Sequence, residues 1–274
     1  MTAWDHHCVA PGSRVVLAEI DPSRTHALRG PAEQERAAAE ALHAQNIAAM
    51  QDLQYRLWAE HRRSLLVVLQ GMDTAGKDGT IRHVFGPLNP QGVRVFGFKQ
   101  PSTEELAHDY LWRIHQQTPG KGRIVIFNRS HYEDVLVVRV RGLVAEPVWR
   151  ERYDQLNRFE ELLVSSGTTI LKFFLHISKA EQKERLQARL DDPAKRWKFS
   201  AGDLDERKRW PEYQAAYEDA ISRCSTEHAP WFVIPADRKW YRNWAVSSIV
   251  REALERLNPQ PPEAGFDPAD ITID

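Results

Sequence analysis

The run SLLVVLQGMDTAGK, residues 64–77, constrains this chain more than any other segment. Leu65 to Leu69 are five consecutive apolar residues, and Gly71 ends the run. That length and its two valines predict a strand buried on both faces. Gly71 to Lys77 then match G-x-x-x-x-G-K, and a helical pattern follows. Placed between a buried strand and a helix, the spacing predicts a phosphate loop. Its glycines let backbone amides turn inward around phosphate oxygens. The helix N-terminus adds positive potential, and the lysine reaches bridging and terminal oxygens. Lys77 is thus a candidate catalytic residue. Gly71, Met72, Thr74, Ala75, Gly76, Asp78 and Gly79 are candidate phosphate contacts.

Two positions depart from the commonest form of such a loop. Asp78 follows the lysine where Ser or Thr would supply a hydroxyl to Mg²⁺. Asp73 puts a carboxylate beside the phosphates, which repels them unless a cation intervenes. Asp73 is therefore a candidate Mg²⁺ ligand, the alternative being a cap on a backbone turn. Thr80 reads as a helix residue rather than a replacement hydroxyl.

Further apolar runs at residues 93–98, 123–128, 169–177 and 230–235 alternate with helical patterns. Helices are expected at 31–62, from the Ser102/Glu105 capping pair to about Gln117, near 147–165, from Ser178 to about Leu190, and from beyond Asp237 to about Leu257. Within the first, Leu42, Ile47, Met50, Leu53 and Leu57 recur at helical spacing, and Pro31 suits its first turn. The alternation predicts an α/β fold, a parallel sheet covered on both faces by helices. Residues 1–30 read as an N-terminal arm, 31–258 as one P-loop kinase domain with a helical lid near 178–210, and 259–274 as an acidic tail.

A second chemical element is FNRSHYEDVLVVRVRG, residues 127–142. It begins at the carboxyl end of the third strand, where open α/β sheets place ligand chemistry. Arg129 is suited to bidentate phosphate binding. Glu133 is preferred over Asp134 as a second metal ligand. Arg139 and Arg141 are candidates for a basic wall, with local ion pairing as the plainer reading. Lys99 is a further candidate for the phosphate path, while His83 and His131 suit phosphate contact or packing equally. A third element, residues 177–210, holds ten Lys/Arg against seven Asp/Glu, a local charge of +3. Arg185 and Arg189 lie four residues apart on one helical face. The segment reads as a lid that closes over phosphates and excludes water. Trp197 and Phe199 either stack on a base or anchor that lid.

Placed in order along residues 30–257, these motifs resemble the polyphosphate kinase 2 family. GMDTAGKDG is similar to its Walker A loop and FNRSHYEDVLVVRV to its Walker B region. ISKAEQKERLQARLDDPAKRWKFS resembles its lid, and PWFVIPADRKWYRN its C-terminal signature. The resemblance implies a thymidylate kinase-like fold, inorganic polyphosphate as phosphoryl donor or acceptor, and Mg²⁺, with Mn²⁺ as a substitute. It carries Asp73, Lys77 and Arg129 onto the family's Walker A aspartate, Walker A lysine and Walker B arginine. Members that mainly phosphorylate ADP often have Asp where this chain has Asn128. FNRSHYEDVLV looks like the class III branch, whose members accept both AMP and ADP. Glu133 would then compensate for the carboxylate missing at Asn128. Asn128 and His131, with Trp197 and Phe199, stand as nucleotide-binding or supporting candidates.

The implied activity is reversible transfer between polyphosphate and AMP or ADP, yielding ADP or ATP. Two alternatives are an ATP-dependent nucleoside or nucleotide kinase and a noncatalytic nucleotide or polyphosphate sensor. Net charge is consistent with a focused site: 37 Lys+Arg against 38 Asp+Glu give -1. That balance argues against a general nucleic-acid binder. No apolar run approaches 18 residues, and Cys8 and Cys224 suit a reducing compartment, so a cytoplasmic protein without a membrane partner is expected. The resemblance implies a homodimer or homotetramer.

Overall fold

A computed structural model describes residues 2–25, 32–267 and 270–273, and these form one parallel sheet clothed by helices. Its strands are β1 (Ser64–Gln70), β2 (Val93–Gly97), β3 (Ile124–Asn128), β4 (Thr168–His176) and β5 (Trp231–Pro235), in the order β2-β3-β1-β4-β5. Every adjacent pair is parallel. The helices α1 (Ala3–His7) and α2 (Ala32–Glu60) precede β1. After β1 comes α3 (Lys77–Thr80), which continues as a π-helical turn over Ile81–Phe85. Short helices α4 (Thr103–Leu106) and α5 (Trp112–His115) link β2 to β3, and α6 (Val137–Val140) and α7 (Glu146–Ser165) link β3 to β4. Between β4 and β5 lie α8 (Lys179–Asp191), α9 (Ala201–Lys208) and α10 (Trp210–Cys224). The last helix is α11 (Lys239–Leu257).

The pleat of β1 explains why its sequence is continuously apolar. Leu66 and Val68 face a core shared with Tyr153, Leu156, Ala216 and Ile221 of α7 and α10. Leu65, Val67 and Leu69 face the opposite core, with Met50 and Leu57 of α2 and Val246, Ile249 and Val250 of α11. Each fully buried Leu or Val contributes about 1.5–3 kcal/mol. Covering both faces therefore holds β1, and the loop that leaves it, rigidly in place.

All five strands expected from the sequence form. The helix expected from Ser102 to Gln117 does not run through: Asp109 Oδ1 accepts from the backbone N–H groups of Leu111 (3.0 Å) and Trp112 (3.1 Å), so it caps α5 and breaks the segment in two. Leu42 is exposed, although Met50 and Leu57 on the same helix are buried. Pro31 and the expected boundary at residues 30 and 31 lie outside the described residues.

The N-terminal segment lies against the sheet. The Val9 N–H donates to Trp231 O at 2.8 Å, Cys8 bridges Phe232, and Val15 and Leu17 are buried. This covers the edge of β5, which would otherwise present unpaired backbone groups. Cys8 and Cys224 are both free thiols, and burial pushes the Cys224 thiol up to about 12. No helix among the described residues is long and apolar enough to cross a membrane.

Candidate active site

Strand order fixes where the chemistry gathers. β1 lies between β3 and β4, and the chain visits the β3 side before the β4 side, which opens a crevice at the carboxyl ends of β1 and β3. Val68 and Leu69 pair with Phe127 and Asn128, so the segments beginning at Gly71 and Arg129 leave the sheet side by side.

Both segments are held in unusual backbone conformations. Thr74 and Arg129 have φ of 65° and 63°, a left-handed region that side chains with a Cβ seldom adopt. The Arg129 N–H donates to Leu69 O at 3.1 Å, which ties its turn to β1. Gly76, at φ 106°, needs its freedom twice over, because a Cβ there would also collide with Arg242. From behind, Gln182 Nε2 donates to Asp73 O at 3.0 Å. Arg185 donates to Thr74 O (2.8 Å), Ala75 O (3.2 Å), Ala236 O (2.7 Å) and Asp237 O (3.0 Å), and pairs with Glu181 at 2.7 Å. Arg185 therefore anchors the loop through its carbonyls.

Inside the loop, Lys77 Nζ donates to Gly71 O at 2.7 Å and to Met72 O at 3.4 Å. Burial, then the nearby Arg129 charge, brings its pKa down to about 8, with Asp73, Glu133 and Asp78 opposing. Arg129 joins the two segments: it pairs with Asp73 at 2.9 Å and lies 3.5 Å from Glu133. Glu133 and Asp73 raise the Arg129 pKa against the effect of burial, so the guanidinium is charged throughout the working range. Asn128 Nδ2 donates to Asp78 Oδ1 at 2.8 Å, a direct link between the third strand and the residue after the lysine.

Three cavities meet at Arg129. The first, about 430 Å³, runs over the loop beside Thr74, Lys77, Arg189, Lys195, Lys198 and Lys239 and is strongly basic. The second, about 230 Å³, brings Asp73, Glu133, Asp203 and Glu206 around the same arginine. Burial, and then the Asp73 charge, raises the Asp203 pKa, which places these carboxylates in one electrostatic neighbourhood. The third is the largest, about 990 Å³, with Phe98, Lys99, Tyr110, Arg113, Val137 and Glu133 among its walls. Asp134 faces it too; burial raises this carboxyl to about 6, with Arg152 opposing from 3.1 Å.

The donor chemistry fits Mg²⁺. Asp73 and Glu133 are hard oxygen donors beside a phosphate loop, and the neighbouring Thr74 Oγ1 is buried without a hydrogen-bond partner. Among the described residues no group of three or more His, Cys, Asp or Glu side chains could hold a metal by itself. Mg²⁺ characteristically takes one or two carboxylates and completes its shell with water and substrate phosphates. Replacing Asp73 by Asn is expected to lower turnover roughly 10–100-fold and to raise the Mg²⁺ concentration needed for half-maximal rate. A Mg²⁺ titration that superimposes on wild type would remove Asp73 from the metal.

The remaining expected residues separate. Arg189 and Lys99 line cavities, Arg189 beside the loop and Lys99 in the largest. Met72 and Ala75 turn their side chains into the core, leaving their backbone to the loop. Arg139 pairs with Asp219 at 2.6 Å and lies over the Trp149 ring, while Arg141 pairs with Glu206. Those ion pairs fasten helices to one another, and neither arginine lines the three cavities. Trp197 is exposed, with Lys198 over its ring, and Phe199 is half-buried. His83 is exposed and sits in a separate groove with Arg36 and Trp240. Thr80 Oγ1 donates back to Gly76 O at 3.1 Å, as a helix residue does.

His131 lies in the interior. Its Nε2 is 3.0 Å from Glu160 Oε1, which also accepts from Tyr132 Oη at 2.9 Å. Lys172 donates to Tyr132 Oη (2.9 Å), Cys224 O (2.7 Å) and Glu160 Oε2. Burial alone would raise the Glu160 pKa; the Lys172 charge and the His131 hydrogen bond outweigh it and hold the carboxyl below its ordinary value. This buried cluster supports the turn that carries Arg129 and Glu133. Sequence reasoning passed over Lys172 and Glu160, and also Lys239, Arg242, Asp203 and Gln182. The only available signals were a lysine inside an apolar strand and the charged residues of ADRKWYRN.

Comparison with known proteins gives a consistent picture. Residues 32–262 match the sequence profile of the family described as Polyphosphate kinase 2 (PPK2). The chain is 57% identical over 255 residues to an AMP/ADP-polyphosphate phosphotransferase of Meiothermus ruber, covering 93% of this chain and 94% of that protein. It is 47% identical over 229 residues to an ADP-polyphosphate phosphotransferase of Rhodopseudomonas palustris, covering 79% of each. The crystal structure of Polyphosphate Kinase 2 from Arthrobacter aurescens TC1 superposes with a TM-score of 0.93 at 45% identity, over 98% of this chain and 94% of that one.

Proposed function

The chain belongs to the polyphosphate kinase 2 family, and from that premise we propose that it transfers phosphoryl groups between inorganic polyphosphate and AMP or ADP, producing ADP or ATP. The observation that carries this reading is the meeting of two unlike cavities at Arg129. One is an open basic channel over the phosphate loop, suited to a polyanion. The other is large and partly aromatic, suited to a nucleoside with its phosphate directed at Arg129 and Glu133.

In the forward direction, a terminal phosphate oxygen of the nucleotide attacks the terminal phosphorus of the polymer. The P–O bond to the rest of the chain breaks, and the polymer leaves one phosphate shorter. The attacking oxygen is already largely ionised near neutral pH, so no strong general base is needed. Lys77 and Arg129 stabilise the charge that gathers on the transferred group. Arg189, Lys195 and Lys198 hold the polymer along the channel. Asp73 and Glu133 are the residues that would hold Mg²⁺. When bound, the ion neutralises charge on phosphate oxygens of donor and acceptor. Residues 178–210 act as the lid, with α8 and the Lys195–Lys198 segment after it carrying the channel wall and α9 bordering the acidic cavity. We place the enzyme in the cytoplasm as a homodimer or homotetramer. Light scattering on the purified protein checks the oligomer.

The decisive assay supplies Mg²⁺ and polyphosphate without ATP. AMP should become ADP, and ADP should become ATP. Absence of conversion by folded protein, with turnover appearing only when ATP is the donor, would make it an ordinary nucleotide kinase. Binding of both substrates without any turnover would make it a sensor.

A further inference from the structure

The first turn of α11 carries Arg242 beneath the phosphate loop. The side chain is 2% exposed. Its Nε and Nη2 donate to Asn243 Oδ1 at 3.2 and 2.8 Å, and among the described residues no carboxylate lies within ion-pairing distance of it. The charged neighbour that perturbs it is Arg185, of the same sign; burial first and Arg185 second press its pKa down. The guanidinium lies directly on the two glycines that flank the start of α3. A Cβ built on Gly76 would stand 1.8 Å from Nη1, and one on Gly79 would stand 3.1 Å from Nη2. A buried charge with no counter-charge is costly. Arg185 is different, since Glu181 balances it and four backbone carbonyls occupy its donors.

We propose that Arg242 is a positioning residue for the phosphate chain, a fixed positive charge behind the loop whose counter-charge is the polyphosphate bound on the loop's other face. This rests on the polyphosphate reading above and deepens it. Glycine backbone separates the guanidinium from that face: Gly76 and Gly79 line the channel, and Arg242 abuts both without lining it. In such a setting the field of a fixed charge is weakly screened. Lys77 acts from the front of the same loop, so the bound phosphates experience positive charge from both sides. Because Arg242 does not touch the reacting atoms, its field acts on bound polymer and transition state alike. Its loss therefore raises the polyphosphate KM more than it lowers kcat. A purely structural prop for the loop would instead lower kcat and weaken both substrates.

The test compares wild type with Arg242→Lys and Arg242→Met, using inorganic tripolyphosphate and AMP as separate calorimetric probes alongside steady-state rates. Arg242→Met should bind tripolyphosphate about tenfold more weakly, with AMP affinity unchanged, and its thermal midpoint without ligand should not fall. Arg242→Lys, which keeps the charge, should stay within about threefold of wild type. The proposal is overturned if Arg242→Met binds tripolyphosphate as wild type does, if Arg242→Lys is as weak as Arg242→Met, or if AMP binding falls in parallel. Should Arg242→Met fail to fold, Arg242→Gln supplies the neutral arm. Failure of both neutral variants beside a folded Arg242→Lys also overturns it, because the charge would then serve the ligand-free fold. Wild-type protein that binds no tripolyphosphate would overturn the polyphosphate reading itself, whereas equal binding by wild type and Arg242→Met removes the role of Arg242 alone.

Discussion

Lys77→Met is expected to slow polyphosphate-dependent turnover by about 10²–10³-fold while leaving the protein folded. The loss follows from removing the one ammonium enclosed by the phosphate loop, where it already donates to Gly71 O and Met72 O. Methionine keeps the unbranched stem and so preserves most of the packing. The fold should not suffer, because the Lys77 pKa is depressed from 10.5 to about 8. A depressed lysine means that the charged form is disfavoured in the folded protein. That cost is fully present below pH 8 and is relieved between about pH 8 and 10.5, where the unfolded chain binds the additional proton. Wild type should therefore gain stability from this group across that window, and Lys77→Met should lack the gain. Stable but inactive protein separates a chemical role for Lys77 from a structural one.

The same value predicts the alkaline limb of activity. As pH rises through about 8, the ligand-free enzyme loses the ammonium, and kcat/KM should fall. Bound phosphates favour the charged form, so the corresponding limb of kcat should lie higher. Lys77→Arg keeps its charge and should move the kcat/KM limb upward, whatever it costs in geometry. A limb that stays put in Lys77→Arg belongs to another group, and full turnover by Lys77→Met would remove Lys77 from transition-state stabilisation.

The parts of this protein that could be read from sequence share one physical property: their signal is local. Leu65–Leu69 is apolar because both faces of β1 are covered, and the same logic reveals β3, β4 and β5, while the edge strand β2 is partly exposed. The glycines around Lys77 are legible because a phosphate loop needs positive φ and close backbone approach, as Gly76 shows at 106°. What sequence could not show is which charges find each other across the fold. Arg185 and Arg189 share a helical face, yet Arg185 is turned into loop carbonyls and Arg189 into the channel. Arg139 and Arg141 sit one turn from the site but are drawn off by Asp219 and Glu206, 80 and 65 residues away. Arg242 is marked in the sequence only as one charge among several in ADRKWYRN, with nothing to say that it faces the loop. Its position is set by where α11 crosses beneath α3, a consequence of strand order.

Lys172 offers the sharpest stability test of this non-local bookkeeping. In TILKFFLHI it reads as a lone lysine in an apolar strand, yet it is fully buried and paired with Glu160 on α7. Removing one partner of a buried ion pair costs about 3–5 kcal/mol, because the survivor is left uncompensated. Lys172→Met should therefore lower the melting temperature by roughly 10 °C, given about 2–4 °C per kcal/mol for a chain of this size. Activity should fall as well. Glu160 also holds His131 and Tyr132, two and three residues beyond Arg129, so an unbalanced Glu160 loosens the strained turn that aims that guanidinium. Replacing both charges, as Lys172→Met with Glu160→Leu, removes the buried imbalance and should recover much of the lost stability. The recovery should be incomplete, since Tyr132 Oη and His131 Nε2 would lose their shared acceptor. A single variant that melts with wild type, or a double variant no more stable than the single, would show that the pair does not hold this layer of the fold together.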